Sequence, residues 1–520
     1  MNSLKTKLKF ERLEKPGGFW AELRAACQVY FVWAAMLAFV VGVALRELGV
    51  LAWPADWLPV LLGLLGLLAA AALLANRPLW LLPAFLLLGL AWSGLAELRL
   101  NSFAVPPDEA VFFRGRVVQV LEREENAFDA LAETPRNGYS FIMQGEDQNG
   151  WRGRLLIVTA PVQPKAGDCL QVSGLVLDQS RTHNFSLRER DYLRSQSVAA
   201  AVRPTPQGIR FSRLASPYAL PGLGLAVRQR VFAAMEPLPP LQQALLKGIG
   251  FGETGMLTNG QSSVLAQSGI MHLFAVSGLH VGYVTLLAGW LFRGLGRLLR
   301  MPDWLSGLAV AAAVLFFCLV VGLRPSVLRA AVMTLAAWLA LAGERGGHSG
   351  CALILAAFLL LLWQPEWLRE PGFLLSFLAT AGIVFTGPLW RALAPSPLLS
   401  VSLAAQFMIM PLLVGFFNTV SLVGLVASPF LLCGAGLVLL LLLLAMPLAW
   451  LGLAYIPLAG AGLLAELMYR GAELLANLPH AFVYALRPGW PALLLYYLLL
   501  TAALYCLARV KNEAWAEEKI

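Results

Sequence analysis

A chain of 520 residues that is 58% hydrophobic and only 13% charged, with mean hydropathy +0.69, cannot be an ordinary water-soluble domain. The formal net charge of +9 says little about a partner, because basic loops that obey the membrane-topology rule account for much of it. The six cysteines, Cys27, Cys169, Cys318, Cys351, Cys433 and Cys506, show neither a disulfide framework nor metal-ligand spacing, and no metal or other cofactor is expected.

Apolar runs of spanning length predict membrane helices over about 26–45, 57–75 and 79–96. The basic residues Lys5, Lys7, Lys9, Arg12, Lys15 and Arg24 precede the first run, and no small-residue cleavage site follows it. The reading is a retained span with a cytoplasmic N-terminus. Between Val105 and Arg203 the pattern changes to short alternating segments at 111–121, 139–144, 151–159, 168–176 and 197–203, punctuated by Gly, Pro and Asn. Five strands in about a hundred residues fit an OB-like barrel on the extracytoplasmic side, with sandwich and SH3-like forms as alternatives. Residues 204–220 read as a Pro-rich linker. The stretches 222–235 and 238–250 read as amphipathic helices on the outer surface.

Further spans are expected at 270–292, 304–323, 326–342, 349–363, 372–390, 398–417, 421–446 and 490–508. The segment 448–476 carries Glu466, Arg470 and Glu473, so it either lies at the interface or spans against a polar partner. Arg77, Arg293, Arg297, Arg300, Arg345 and Arg391 fall on the N-terminal side of the membrane if each run crosses once. The expected architecture is a polytopic α-helical membrane protein of about 11–12 transmembrane helices with an extracytoplasmic OB-like β-barrel insert. Its divisions are 1–103 (three spans), 104–210 (barrel), 211–260 (linker and interfacial helices), 261–510 (channel domain) and 511–520 (tail).

The chemistry-bearing residues concentrate in three places. On one continuous helix Ser268, His272 and His280 would share an arc of about 120°, with Ser277 just beyond it. A polar face of that kind normally turns into a bundle or a water-filled path, although interhelical hydrogen bonding accounts for it about as well. Arg324 and Arg329 flank Pro325 at a break between two apolar runs, where guanidinium groups either clamp phosphate bidentately or snorkel to headgroups. In the insert, Phe112, Phe113, Tyr139, Phe141 and Trp151 fit a barrel core better than a base-stacking surface. Arg114, Arg116, Arg152 and Arg154 could meet phosphates, and Arg181, Arg188, Arg190 and Arg194 form the better basic patch. Yet residues 105–203 hold 12 Lys or Arg against 13 Asp or Glu, so the insert has no net basic footprint. Gly248, Gly250, Gly252 and Gly255 lack the Lys-Ser or Lys-Thr of a phosphate loop. Pro411, Pro429, Pro447 and Pro457 imply kinked or broken helices.

The run from Ala244 to Gly282, with His272-Leu-Phe-Ala-Val-Ser-Gly-Leu-His280 at its heart, resembles the signature of the ComEC family of bacterial competence channels. Gly322-Leu-Arg-Pro-Ser-Val-Leu-Arg-Ala330 and Pro371-Gly-Phe-Leu-Leu-Ser-Phe377 agree in order and spacing, and Asp191-Tyr-Leu-Arg-Ser-Gln196 is similar to the close of that family's N-terminal OB-like domain. Phe185-Ser-Leu-Arg-Glu-Arg190 departs from the family's Gly-Gly-Phe-Asp turn. The resemblance implies a multi-pass inner-membrane channel that passes single-stranded DNA into the cytoplasm during natural transformation. Ser268, His272, Ser277 and His280 would line it, and Arg324 and Arg329 would contact phosphates. It also implies a periplasmic DNA receptor, a separate nuclease, and a cytoplasmic motor or single-strand-binding proteins as partners. Many members carry a metallo-β-lactamase-like domain with a His-x-His-x-Asp-His motif; the five histidines here do not form one, so no nuclease activity, and no enzyme, is expected. Two alternatives remain: an intramembrane serine hydrolase using Ser277 and His280, and a secondary transporter of a small polar solute.

Overall fold

The structure, a computed structural model, describes residues 31–48, most of 60–68, 81–101, 110–121, 139–147, 152–160, 164, 168–177, 196–211 and, apart from short stretches, 220–503 with 506. The patch Arg181, Arg188, Arg190 and Arg194, the side chains of Arg152, Tyr139 and Trp151, and Gly255 lie outside the described residues. Two compact units are present, one formed by residues 1–102 with 357–368 and the other by 103–356 with 369–520.

In the first unit α1 (Phe31–Glu47) packs against α2 (Leu82–Asn101). The sequence permits a close crossing because Gly42 faces the backbone of Leu86 and Gly89 faces that of Phe39, where a Cβ would collide. In lipid, where hydrophobic transfer gives helices little reason to associate, such small-residue contacts are what hold them. Two polar contacts also join these helices: Arg46 meets Glu97 at 2.9 Å, and Ser93 donates to Glu47.

The second unit begins with a closed barrel of β1 (Ala110–Leu121), β2 (Tyr139–Asp147), β3 (Arg152–Ala160), β4 (Cys169–Leu177) and β5 (Val198–Phe211), in the order β1-β2-β3-β5-β4. All pairings are antiparallel except β3 with β5. This is the five-stranded Greek-key closure of OB-type barrels. Alternation fills the interior with Phe113, Val117, Phe141, Met143, Leu155, Ile157, Leu170, Val172 and Val202, each large aliphatic or aromatic side chain contributing roughly 1.5–3 kcal/mol on burial. Phe113 and Phe141 are therefore core, and Phe112 is exposed.

Residues 204–211 of the expected Pro-rich linker belong instead to β5, and the rest of it up to 219 lies outside the described residues. Pro204 pairs opposite Gly174, and the register shift between Val172 and Gly174 gives β5 room for prolines that a regular ladder would reject.

The helices that follow are α3 (Leu220–Met235), α4 (Pro240–Phe251), α5 (Asn259–Gln267), α6 (Gly278–Leu299), α7 (Asp303–Val321), α8 (Pro325–Ala342), α9 (Ser349–Trp363), α10 (Pro371–Ala381), α11 (Gly387–Leu393), α12 (Pro397–Phe417), α13 (Gly424–Leu448) and α14 (Tyr455–Ala476). A π-helical turn at Gly382–Thr386 joins α10 to α11, and β6 (Thr419–Ser421) pairs with β7 (Phe482–Tyr484). Among the described residues three helical stretches are long and apolar enough to cross a membrane: Trp304–Val321, Leu399–Phe417 and Leu431–Leu451. Shorter apolar helices occupy Leu82–Leu98, Pro325–Leu339, Ser349–Trp363, Pro371–Thr386 and Pro491–Ala503.

Three expectations are corrected here. The run 268–280 is no continuous helix, since α5 stops at Gln267, Gly269 takes φ +78°, Met271–Phe274 forms a 3-10 turn, and α6 starts only at Gly278. A left-handed glycine and an N-capping serine inside an apolar run override its helical periodicity. Next, α4 is no surface helix. Ala244, Leu245, Leu246, Ile249 and Phe251 join the central core, and Gly248 and Gly250 admit Phe274 and Leu442 at close range. Finally, the prolines do not break the helices: α12 continues through Pro411 and α13 contains Pro429 and Pro447, and Pro457 sits in the first turn of α14, where its missing N–H costs nothing.

The ambiguous segment near 448–476 is helix α14, packed into the same core through Leu458, Ala461, Ala465 and Ala472. Its Glu466 accepts from Gln242 Nε2 at 3.0 Å, a polar partner made reachable because Gly462 has no side chain to block it.

In the barrel, Gly115 lies against the Gln144 carbonyl, with Gly145 Cα 2.6 Å from where a Cβ would stand. Gly115→Val is expected to destabilise the barrel by about 3 kcal/mol through overpacking, whereas Val118→Thr, at a 44% exposed position, leaves it unchanged. Hydrogen exchange of residues 110–211 in the full chain measures both; equal protection in the two variants would refute the close β1–β2 approach.

Candidate functional site

The geometry is built on helix ends that stop inside the apolar core. Helix α4 ends when Gly252 takes φ +68°, its N–H returning to Gly248 O at 2.9 Å and the Glu253 N–H to Lys247 O at 3.1 Å. Thr258 then opens α5 with a capping box to Gln261. Ser277 opens α6 with the same device, its hydroxyl accepting from Leu279 N–H at 3.3 Å and its own N–H donating to His280 Nδ1 at 3.2 Å. Gly322, at φ +88°, ends the chain's course after α7, and Arg324 precedes the first turn of α8.

Three side chains bond the carbonyls that these endings free. His280 Nε2 lies 2.7 Å from Ile249 O, Arg324 Nη2 donates to Gly252 O at 3.0 Å, and Ser326 Oγ donates to Val276 O at 2.6 Å. A carbonyl only accepts, so His280 carries its proton on Nε2, and Nδ1 is the acceptor for the Ser277 N–H. Arg329, 8% exposed, donates to Ser376 Oγ on α10 at 2.9 Å, lies over the Phe377 ring at 5.8 Å, and packs against Gly278, where a Cβ would stand 2.9 Å from Nη2. Four of the sequence-predicted residues, Ser277, His280, Arg324 and Arg329, are thus gathered around the starts of α6 and α8.

Ser268 and His272 are not gathered there. Ser268 is fully buried, bonds Leu265 O at 3.2 Å, and abuts Gly424 through its backbone. His272 is exposed, and its Nδ1 donates to Gly269 O at 2.9 Å. In the barrel Arg154 donates to the Gln196 carbonyl at 2.9 Å, a bond that anchors the approach to β5.

Several members of the cluster carry no motif. Arg228 on α3 pairs with Glu253, lies 5.4 Å over Phe232, and is near enough to Arg324 for their charges to repel. Glu370, just before α10, interacts with the Arg324 charge, and its Oε2 is buried without a hydrogen-bond partner. Only the adjacency of Glu253 to Gly252 and of Glu370 to Pro371 marks them in sequence, since their partners lie far away along the chain.

Ser277 Oγ stands 3.4 Å from His280 Nδ1. That nitrogen already receives a backbone N–H, and Nε2 faces a carbonyl rather than a carboxylate. The arrangement is a helix cap, not the oriented base of an activated serine.

His280→Ala would strip partners from Ile249 O and the Ser277 N–H, a loss of about 1–3 kcal/mol for each buried group left unsatisfied. The expected result is a lowered melting temperature in lipid nanodiscs, with partial recovery in His280→Gln, which keeps a side-chain acceptor at that cap position. An unchanged melting temperature for the alanine variant would refute the bridging role.

Comparison with known proteins adds a family to this geometry. No solved structure matches the chain. ComE operon protein 3 of Bacillus subtilis (strain 168) is 28% identical over 206 residues, covering 38% of this chain and 26% of that protein. The uncharacterized protein YcaI of Escherichia coli (strain K12) is 28% identical over 217 residues, covering 37% of this chain and 27% of that one. The matched stretch thus spans about a quarter of each relative's length. The family described as Competence protein matches residues 249–510, from the last turn of α4 past α14, which includes the starts of α6 and α8. The protein is therefore a mostly helical membrane protein with a five-stranded barrel, and it belongs to the Competence protein family.

Proposed function

We propose that this protein is a multi-pass inner-membrane channel that carries single-stranded DNA into the cytoplasm during natural transformation. The carrying observation is the gathering of Arg324, Arg329, His280 and Ser277 at helix starts within an otherwise apolar core. Charged groups inside a membrane protein normally face a conduit or one another. Guanidinium groups keep their charge and grip phosphate in two-point geometry, so a passing polyanion would find suitable contacts in Arg324 and Arg329. Family membership and the similarity to ComE operon protein 3 of Bacillus subtilis support a role in DNA uptake.

In this reading the N-terminus is cytoplasmic, the helices make 11–12 crossings, and the barrel stands outside, where it receives the strand or shapes the entrance. Ser277 and His280 belong to the wall of the path, with the exposed His272 on the approach. A single strand suits a modest helical bundle, whereas a duplex about 20 Å wide does not. The chain acts as a conduit and not as an enzyme. A periplasmic receptor delivers the DNA, a separate nuclease removes the second strand, and a cytoplasmic motor or single-strand-binding proteins draw it in.

The test is delivery of labelled donor DNA into a DNase-resistant pool inside spheroplasts of a deletion strain. The intact gene is expected to restore entry, and Arg324→Ala or His280→Ala, present at equal membrane levels, to reduce it at least tenfold. Unchanged entry in the deletion strain itself would overturn the channel assignment.

A further inference from the structure

The ion pair between Arg228 and Glu253 has a peculiar distribution of exposure. The Arg228 side chain is 15% exposed, and that of Glu253 is 42%. The cation is rooted in the structure and the anion sits at its accessible edge, where water screens the attraction and solvates the carboxylate when it is released. Arg228 is fixed on α3 against Phe232, whose ring is also approached by Lys247 at 5.2 Å. Glu253 stands on the short connection between the left-handed Gly252 and the Thr258 cap, so its side chain can leave without unwinding either helix.

Arg324 stands beside this pair, because its Nη2 donates at 3.0 Å to the carbonyl of Gly252, the residue before Glu253. It can come so close because Gly252 has no side chain: a Cβ there would meet the Arg324 guanidinium. Two neighbouring, weakly hydrated cations of fixed charge need an anion shared between them, and bidentate oxyanions match their geometry. The groups that now meet them are oxygen acceptors of the chain itself: the Glu253 carboxylate at Arg228, and the Gly252 carbonyl and the Glu370 charge at Arg324.

We propose that Glu253 is the resting occupant of a polyanion site built on Arg228 and Arg324, holding the place of a phosphate and leaving when a phosphodiester arrives. Arg228 is then a third phosphate-binding guanidinium, and the pair with Glu253 is the latch of the path. This rests on the channel reading for its ligand, but not for its chemistry.

The experiment uses the full chain in lipid nanodiscs, with two probes measured over a salt series: a fluorescein-labelled oligothymidylate and inorganic long-chain polyphosphate. Glu253→Gln is expected to bind both about tenfold more tightly, the scale of one charge-assisted hydrogen bond no longer contested. Its salt dependence should steepen by about 0.7, one further phosphate contact on a single strand. Combining it with Arg228→Ala should abolish the gain. Glu253→Ala, expected to behave alike, serves if the glutamine variant does not fold.

If the parent binds oligothymidylate and neither Glu253 variant binds it more tightly, the latch is overturned and the channel reading survives. A gain that persists in the Arg228→Ala background overturns the latch as well, because it marks bulk charge alone. A gain dependent on Arg228 for polyphosphate, with no oligothymidylate binding by any form, sustains the polyanion site and removes DNA as its ligand. No gain with either probe, together with a lowered melting temperature, assigns the pair to structure alone.

Discussion

A backbone carbonyl freed where a helix ends inside an apolar core must find a donor, and the rest of this site follows from that requirement. The chain ends α4 at Gly252, breaks again between Gln267 and Gly278, and breaks a third time between Val321 and Pro325. Each ending exposes groups that lipid or packed side chains cannot satisfy. His280, Arg324 and Ser326 supply the donors, and in doing so they lock the C-terminal end of α4 to the starts of α6 and α8. What looks in sequence like a set of polar residues waiting for a ligand is first a set of bonds that lets three helices stop at the same place.

That structural duty and a transport role use the same chemistry. Arg324 bonds the Gly252 carbonyl at 3.0 Å, and Arg329 is braced by the Ser376 hydroxyl, the Met333 sulfur and the Phe377 ring. Carboxylates stand nearby: Glu253 pairs with Arg228, and Glu370 interacts with the Arg324 charge. Glycine makes this density possible, since Gly252 and Gly278 give way to Arg324 and Arg329 at distances no side chain would allow.

Much of the fold was legible because it rests on local rules. Short apolar segments punctuated by Gly, Pro and Asn mark all five barrel strands, with boundaries within a few residues except at the end of β5, where a register shift accommodates Pro204. The break at Pro325 and the Ser277–His280 contact followed from proline stereochemistry and i, i+3 spacing. The continuous polar face through Ser268 and His272 did not survive, because periodicity counts residues but cannot see that Gly269 turns left-handed against Gly424 and Ser421. The burial of α4 escaped for a similar reason: its glycines read as a weak loop signal, whereas they are the places where Phe274 and Leu442 enter.

The sequence by itself determined that this is a membrane protein with a β insert, where its polar residues concentrate, and which family it resembles, since hydropathy, alternation and motif spacing are properties of neighbouring residues. Only the tertiary structure decided which polar groups meet. Arg228 finds Glu253 across the α4 helix, Gln242 finds Glu466 across 224 positions, and His280 finds Ile249 across 31. Such pairings depend on where helices stop and how closely glycine lets them cross, and an ion pair or a bonded carbonyl between distant segments leaves no periodic trace in the chain that encodes it.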